Sequence, residues 1–219
     1  MSSIEGVEIE IDEEAVVVTA AAPLTVLSSA VEGGGLGPAR TIVNLHVHKH
    51  CPWEDVALRL DAFVARRRLP APRVGLLTAA WTAQAQVASE RAADIDALVV
   101  VTVGLGNLIA AGWSAAAAAP VGTINTIVVL DANPEPAALV NLALTVTEVK
   151  SLVLGEAGRQ CADGRPASGT STDAVVIAAT GRGRAVRFGG PISEAGWLVA
   201  RVARRALGDG VRRWIEEHR

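Results

Sequence analysis

A chain of 219 residues, half of them hydrophobic but only 3% aromatic, has the material for one large core of Val, Leu, Ile and Ala. That composition excludes a disordered chain, and the length does not require a second domain, so residues 1–219 are read as one unit. Twenty basic against twenty-three acidic residues leave a net charge of −3, which provides no field for a polyanion and argues against a nucleic-acid partner.

The only cysteines, Cys51 and Cys161, stand far apart and without a CxxC partner, which suggests neither a disulfide framework nor a thiolate metal site. Met1 to Asp12 is acidic and lacks the basic flank and apolar run of a signal peptide. A cytoplasmic setting is expected.

Gly6 to Ile11 alternates apolar and charged residues, Asp12-Glu13-Glu14 turns, and Ala15 to Thr19 is β-branched, which predicts an antiparallel hairpin with an acidic exposed face. After Leu24 to Val31 and the Gly33-Gly34-Gly35 loop, Thr41 to Val47 reads as another strand, ended by Pro52. From Trp53 the period becomes helical, with Val56, Leu60, Phe63 and Val64 on one face, until Pro70. The arginines 66–68 read as a solvated helix end.

Val74 to Thr78, Leu98 to Val103 and Ile124 to Leu130 are short apolar runs that fit strands buried on both faces at the centre of a sheet. The apolar stretch Ala97 to Ala132 is broken by Gly104, Gly106, Gly112, Pro120 and Gly122. It is therefore two strands and a connection, not a membrane span. Pro134 and Pro136 introduce a long helix to about Leu154. Asp173 to Ala179 is a last strand, and Ile192 to Leu207 and Val211 to Glu217 are two terminal helices. Together these predict an α/β (α+β) layered sandwich, a mixed sheet with flanking helices.

Three polar segments stand out. In Gly122-Thr123-Ile124-Asn125-Thr126, burying Asn125 without partners would cost about 1–3 kcal/mol, so it binds either a neighbouring loop or a ligand. On the long helix, Asn141, Thr145 and Glu148 recur at spacings of four and three on one face. Lys150 lies about 200° around from Glu148, so one of the two faces inward or Lys150 is simply at the surface. Third, Ser168-Gly169-Thr170-Ser171-Thr172-Asp173 places backbone N–H groups, hydroxyls and a carboxylate at a strand start. The segment suits either an oxyanion site with a general base or an ordinary turn.

Two other patterns are weaker. Gly104-Leu-Gly106 after a strand mimics a dinucleotide fingerprint, but Ile109 takes the third glycine's place and Pro120 interrupts the crossover helix. His46, His48 and His50 alternate along an extended segment, a possible metal site with no distant ligand to complete it; the first expectation is no metal and no cofactor.

The chain resembles the adenosylcobinamide amidohydrolases, in order from about Leu24 to Ala203. The resemblance is carried by Leu27-Ser-Ser-Ala30 with Gly33 to Gly35, Asn44, Gly75-Leu-Leu-Thr-Ala79, Gly104 to Asn107 with Gly112, and Gly122-Thr-Ile-Asn125 through Asp131. Asn141 with Thr147-Glu148-Val-Lys150, Gly169-Thr-Ser-Thr-Asp173, and Gly190-Pro-Ile-Ser193 with Gly196 complete it. The chain departs from the family pattern after Asn44, where His48, His50 and Cys51 replace Pro, Asp and Tyr, and no Tyr occurs anywhere.

The resemblance implies cleavage of the amide between aminopropanol and a corrin side chain during cobalamin salvage, with the corrinoid as substrate. It implies Asp173 or Glu148 as base, Thr170 or backbone N–H groups at the oxyanion and Lys150 at the leaving amine. A threonine nucleophile is the competing route. Asn44, Asn107, Thr123, Asn125, Asn141, Gly169 and Thr172 are the expected substrate contacts. A related corrinoid, or a corrinoid-binding protein without catalysis, are the other readings, and a homo-oligomer is compatible with all of them.

Overall fold

The N-terminal alternation forms the expected hairpin. Strand β1 (Val7–Ile11) pairs antiparallel with β2 (Ala15–Ser28), Ile11 opposite Val16. Asp12 makes the turn, its Oδ1 accepting from the backbone N–H groups of Glu14 and Ala15 at 2.8 and 2.9 Å. The computed structural model describes residues 4–49, 51, 55–92, 94–116 and 123–218. His50, Pro52, Trp53, Pro120 and Gly122, named above, lie outside the described residues.

Strand β3 (Gly35–His46) runs antiparallel to β2 on both sides of an irregularity between Thr19 and Leu24. Helix α1 (Val56–Arg67) leads to β4 (Arg73–Thr78), parallel to β3. The arginine run at its end is not merely solvated. Arg67 pairs with Asp12 and Glu10, Arg66 pairs with Glu14, and the Arg67 guanidinium lies 5.1 Å from the centre of the Phe63 ring. Hairpin acids and helix bases therefore clamp α1 to the sheet. Partial burial pushes the Asp12 carboxyl up, but Arg67 and the turn N–H groups outweigh it and hold it below its ordinary value.

The second half contains β5 (Gln86–Ala92), β6 (Ile95–Val103), β7 (Leu108–Ile109), β8 (Ile124–Asp131) and β9 (Asn133–Pro134). These are followed by α2 (Pro136–Glu156), β10 (Gly169–Thr170), β11 (Ala174–Ala179), β12 (Ala185–Val186) and α3 (Glu194–Glu217). The main sheet runs β4-β3-β2-β11-β8-β6-β5, with β1 beside β2. It is mixed, since β11 runs parallel to β8 but β6 is antiparallel to it. That antiparallel pairing removes the dinucleotide reading, which needs parallel strands joined by a crossover helix.

Two expected terminal helices are one. Gly208 and Gly210 lie inside α3 without interrupting it; a Cβ on Gly210 would come 2.6 Å from Val103 Cγ2, so the bare backbone there lets the helix lie close on β6. By length and composition α2 is apolar enough to cross a membrane. Its apolarity has a local cause: Leu139, Leu142, Val146, Val149 and Val153 are buried against α3 and the sheet.

The sheet folds over on itself. Val16, Val18, Ile42, Val74 and Leu76 of the β2-β3-β4 half share one buried cluster with Leu98, Val100, Ile127, Val129 and Val176 of the other half. Helix α1 covers the outer face of the first half, and α2 and α3 cover that of the second. The result is a layered α/β/β/α sandwich.

Its polar centre is an amide bridge. Asn125 Nδ2 donates to Asn44 Oδ1 and to the Leu77 carbonyl, each at 2.8 Å, and Asn44 Nδ2 donates to Thr102 Oγ1 at 2.9 Å. Within the sheet β3 and β8 are three strand spacings apart, about 14 Å, so these bonds exist only because the halves face each other. Asn44 and Asn125 are each 1% exposed.

Replacing Asn44 by Ala deprives Asn125 and Thr102 of buried partners. The expected cost is about 1–3 kcal/mol, a fall in the thermal midpoint of about 2–4 °C per kcal/mol for a chain this size. Thermal denaturation followed by circular dichroism measures it, and an unchanged midpoint would show that the bridge does not bind the halves.

Candidate active site

Lys150, Thr170 and Asp173 meet at the polar end of the sandwich. Lys150 projects inward from α2, and its Nζ donates to Asp173 Oδ2 at 2.5 Å, with both side chains about nine-tenths buried. Thr170 Oγ1 donates to Asp173 Oδ1 at 2.5 Å, Thr170 N donates to Oδ2 at 3.0 Å, and Ile124 N donates to Oδ1 at 2.9 Å. Four donors thus occupy a carboxylate with about four lone-pair directions. Asp173 can take a proton most directly along the Thr170 hydroxyl bond, which is already made.

Gly169 permits this arrangement. A Cβ there would stand 2.5 Å from Asp173 Oδ2 and 2.8 Å from Lys150 Nζ, so no side chain fits behind the ion pair. Burying the pair costs desolvation that its mutual attraction and the three further donors offset.

The other expected residues divide. Thr123 is fully buried, its Oγ1 lying 2.7 Å from the Thr172 carbonyl and 2.9 Å from Asn125 Oδ1, which ties the start of β8 to the Asp173 loop. Asn107 Nδ2 donates to Ser171 Oγ at 2.5 Å, on the rim. Asn44 and Asn125 have their amides committed inside the sandwich and join its halves instead of facing a ligand.

The expected stripe on α2 is not one environment. Thr145 is buried and donates to the Gly189 carbonyl at 3.0 Å, but Asn141 and Glu148 are exposed, Asn141 donating to the Ala137 carbonyl of its own helix. The stripe runs along the border of the buried face, so only its middle residue turns in. Glu148 is therefore outside the Asp173 cluster, and Lys150 is the inward member of the pair.

Two clefts open here. One of about 180 Å³ is lined by Ser29, Val31, Leu76, Leu77, Thr172 and Asp173. It is smaller than the roughly 300–1,000 Å³ of whole-ligand pockets and suits a single arm of a larger molecule. The other, about 390 Å³, includes His46, His48, Trp81, Gly104, Trp214 and His218 in its walls. Gly104 N donates to the Thr123 carbonyl at 3.0 Å, and Thr123 in turn reaches Thr172, so one wall residue of each cleft is tied to the other through Thr123. Among the described residues no three His, Cys, Asp or Glu side chains form a metal-holding group.

Trp81, Trp214 and His218, which share the wider cleft, stand in none of the polar segments that the sequence singles out. The spacing of four between Trp214 and His218 was the available signal, since it stacks their rings, 4.1 Å between centres.

A model of the adenosylcobinamide amidohydrolases matches residues 1–219, the whole chain. The chain belongs to that family. An amide-hydrolysing enzyme follows, and Lys150, Thr170 and Asp173 are this amidohydrolase's cluster of hydroxyl, carboxylate and ammonium. No curated protein matches the chain.

Among solved structures, it is similar to the PH0078 protein from Pyrococcus horikoshii OT3, at 10% identity and TM-score 0.47, over 97% of this chain and 83% of that one. It is also similar to a Burkholderia sp. beta-aminopeptidase, at 14% identity and TM-score 0.47, over 94% and 79%. A third is the L-aminopeptidase D-Ala-esterase/amidase of Ochrobactrum anthropi, at 12% identity and TM-score 0.40, over 94% and 83%. These likenesses assign no residue and no reaction.

Substituting Ala for Gly169 forces the ion pair apart. Amide hydrolysis should fall at least about tenfold, since misplacing catalytic groups by about 1 Å can cost a hundredfold, while the circular dichroism spectrum stays parental. Parental turnover in a folded Gly169→Ala protein would remove the cluster from the reaction.

Proposed function

We propose that this amidohydrolase cleaves the amide joining aminopropanol to the corrin side chain of adenosylcobinamide, releasing adenosylcobyric acid for cobalamin salvage in the cytoplasm. The observation that carries the proposal is the buried Thr170–Asp173–Lys150 cluster, on motifs that the family resemblance selects, beside a cleft sized for one substrate arm.

The hydroxyl route fits the hydrogen bonds best. Thr170 Oγ attacks the amide carbonyl carbon as its proton passes to Asp173 Oδ1. The Lys150 ammonium steadies the oxygen that becomes negative. When the tetrahedral adduct collapses, the C–N bond breaks, the amine leaves with a proton from the cluster, and the side chain remains as an ester on Thr170. Water then cleaves that ester, giving the free carboxylate and restoring the hydroxyl. As written the reaction uses no metal and no cofactor, and the corrinoid is the sole small-molecule partner.

Incubating chelator-treated protein with adenosylcobinamide, followed by mass spectrometry, should yield both adenosylcobyric acid and aminopropanol. Unchanged ligand, with or without added divalent metals, would leave a corrinoid-binding protein without this activity.

Variants separate the roles. Thr170→Ala and Asp173→Asn should each lower turnover at least about a hundredfold, at the low end of what a general base contributes. Thr170→Ser should retain much of it, and Glu148→Gln should be parental. Loss in Glu148→Gln with retention in Asp173→Asn would reverse the assignment.

A further inference from the structure

The wider cleft holds an imidazole oriented as a metal ligand would be. His46 Nδ1 lies 2.9 Å from the Ala80 carbonyl. A carbonyl has no proton, so Nδ1–H donates, and in the neutral ring the lone pair is left on Nε2. Metal-ligating histidines are commonly oriented this way, by a bond from their other nitrogen. The ring is further fixed by stacking on Trp81, with centres 4.8 Å apart and planes within 17°.

His46 follows Ile42 and Asn44 on the same face of β3, so it sits where the inter-sheet space opens to the outside. Among the described residues no three His, Cys, Asp or Glu side chains converge, so His46 stands there as a single oriented imidazole. One imidazole is enough, however, for a metal already held by four nitrogens of a macrocycle.

From this we infer that His46 Nε2 binds the cobalt of the corrinoid as an axial ligand. The inference rests on the proposed substrate and locates its macrocycle. Cobinamide lacks the nucleotide base that occupies cobalt's lower position in the complete cofactor, so only an exchangeable water has to leave.

The substrate has two features some distance apart, a metal at its centre and an amide on an arm at its rim. The protein has two clefts tied through Thr123, one with the oriented imidazole and the indoles of Trp81 and Trp214 in its walls, the other reaching Asp173. Ligation at His46 would fix the macrocycle while its arm enters the smaller cleft at Asp173.

The test uses tag-free full-length protein and cob(II)inamide, read by electron paramagnetic resonance. Axial imidazole nitrogen should split each resolved cobalt line into a triplet, and protein labelled with 15N-histidine should turn the triplets into doublets. In His46→Ala the splitting should vanish and return on adding free imidazole, cobinamide affinity should drop at least tenfold, and His218→Ala should keep the splitting. His46→Gln serves as a second variant if the alanine protein misfolds.

Bound cob(II)inamide without nitrogen splitting, or splitting that survives in the His46 variants, overturns the inference. If adenosylcobinamide is nonetheless hydrolysed at the parental rate, the amidohydrolase reading stands alone. If cobinamide neither binds nor is hydrolysed, both fall.

Discussion

The rest of the molecule depends on two asparagine side chains that meet between the halves of a folded-over sheet. An amide buried in an apolar sandwich is costly unless both its donors and its acceptor are used. Asn125 uses both donors, toward Asn44 and the Leu77 carbonyl, and lies 2.9 Å from the Thr123 hydroxyl. Apolar contacts elsewhere in the sandwich tolerate small slippage, whereas these directional bonds do not. They set the register of one half against the other, and with it the position of Thr123, Thr172 and Asp173 relative to β3 and β4.

From that register the chemistry follows by short steps. Thr123 links the bridge to the Thr172 carbonyl, Asp173 is held by the N–H of Ile124 and by Thr170, and Lys150 reaches it across the space left by Gly169. The carboxylate is held so completely that it cannot readily attract a bulk water. In the proposed reaction its short bond to the Thr170 hydroxyl is the path for the proton that a hydroxyl nucleophile must lose.

Much of this was legible before folding. Charge alternation gave the hairpin, the short apolar runs gave β4, β6 and β8, and paired prolines opened α2. The glycine and hydroxyl segment before β11 was identifiable as chemistry because a core strand start has no use for so many polar groups. What local pattern could not supply was the face-to-face packing of strands that are not neighbours in the sheet. Asn44 and Asn125 therefore read as ligand contacts when they are inter-sheet ties. Helical period places Glu148 on the border of the buried face, which leaves open whether Glu148 or Lys150 turns inward until the helix is packed. Edge strand β5 was missed because its exposed side carries Val87 among polar residues and offers no buried run.

Asn44 and Asn125 are 81 residues apart, and Ser29 contacts Val175 across 146. Bringing such distant partners together requires long loops to close, which slows folding. No fragment of the chain, and no intermediate with its sheet halves undocked, can possess the ion pair in its working position. With the proposed site, hydrolytic activity becomes a built-in report of conformational completeness, silent in partly folded chains and present only in those whose two halves have docked.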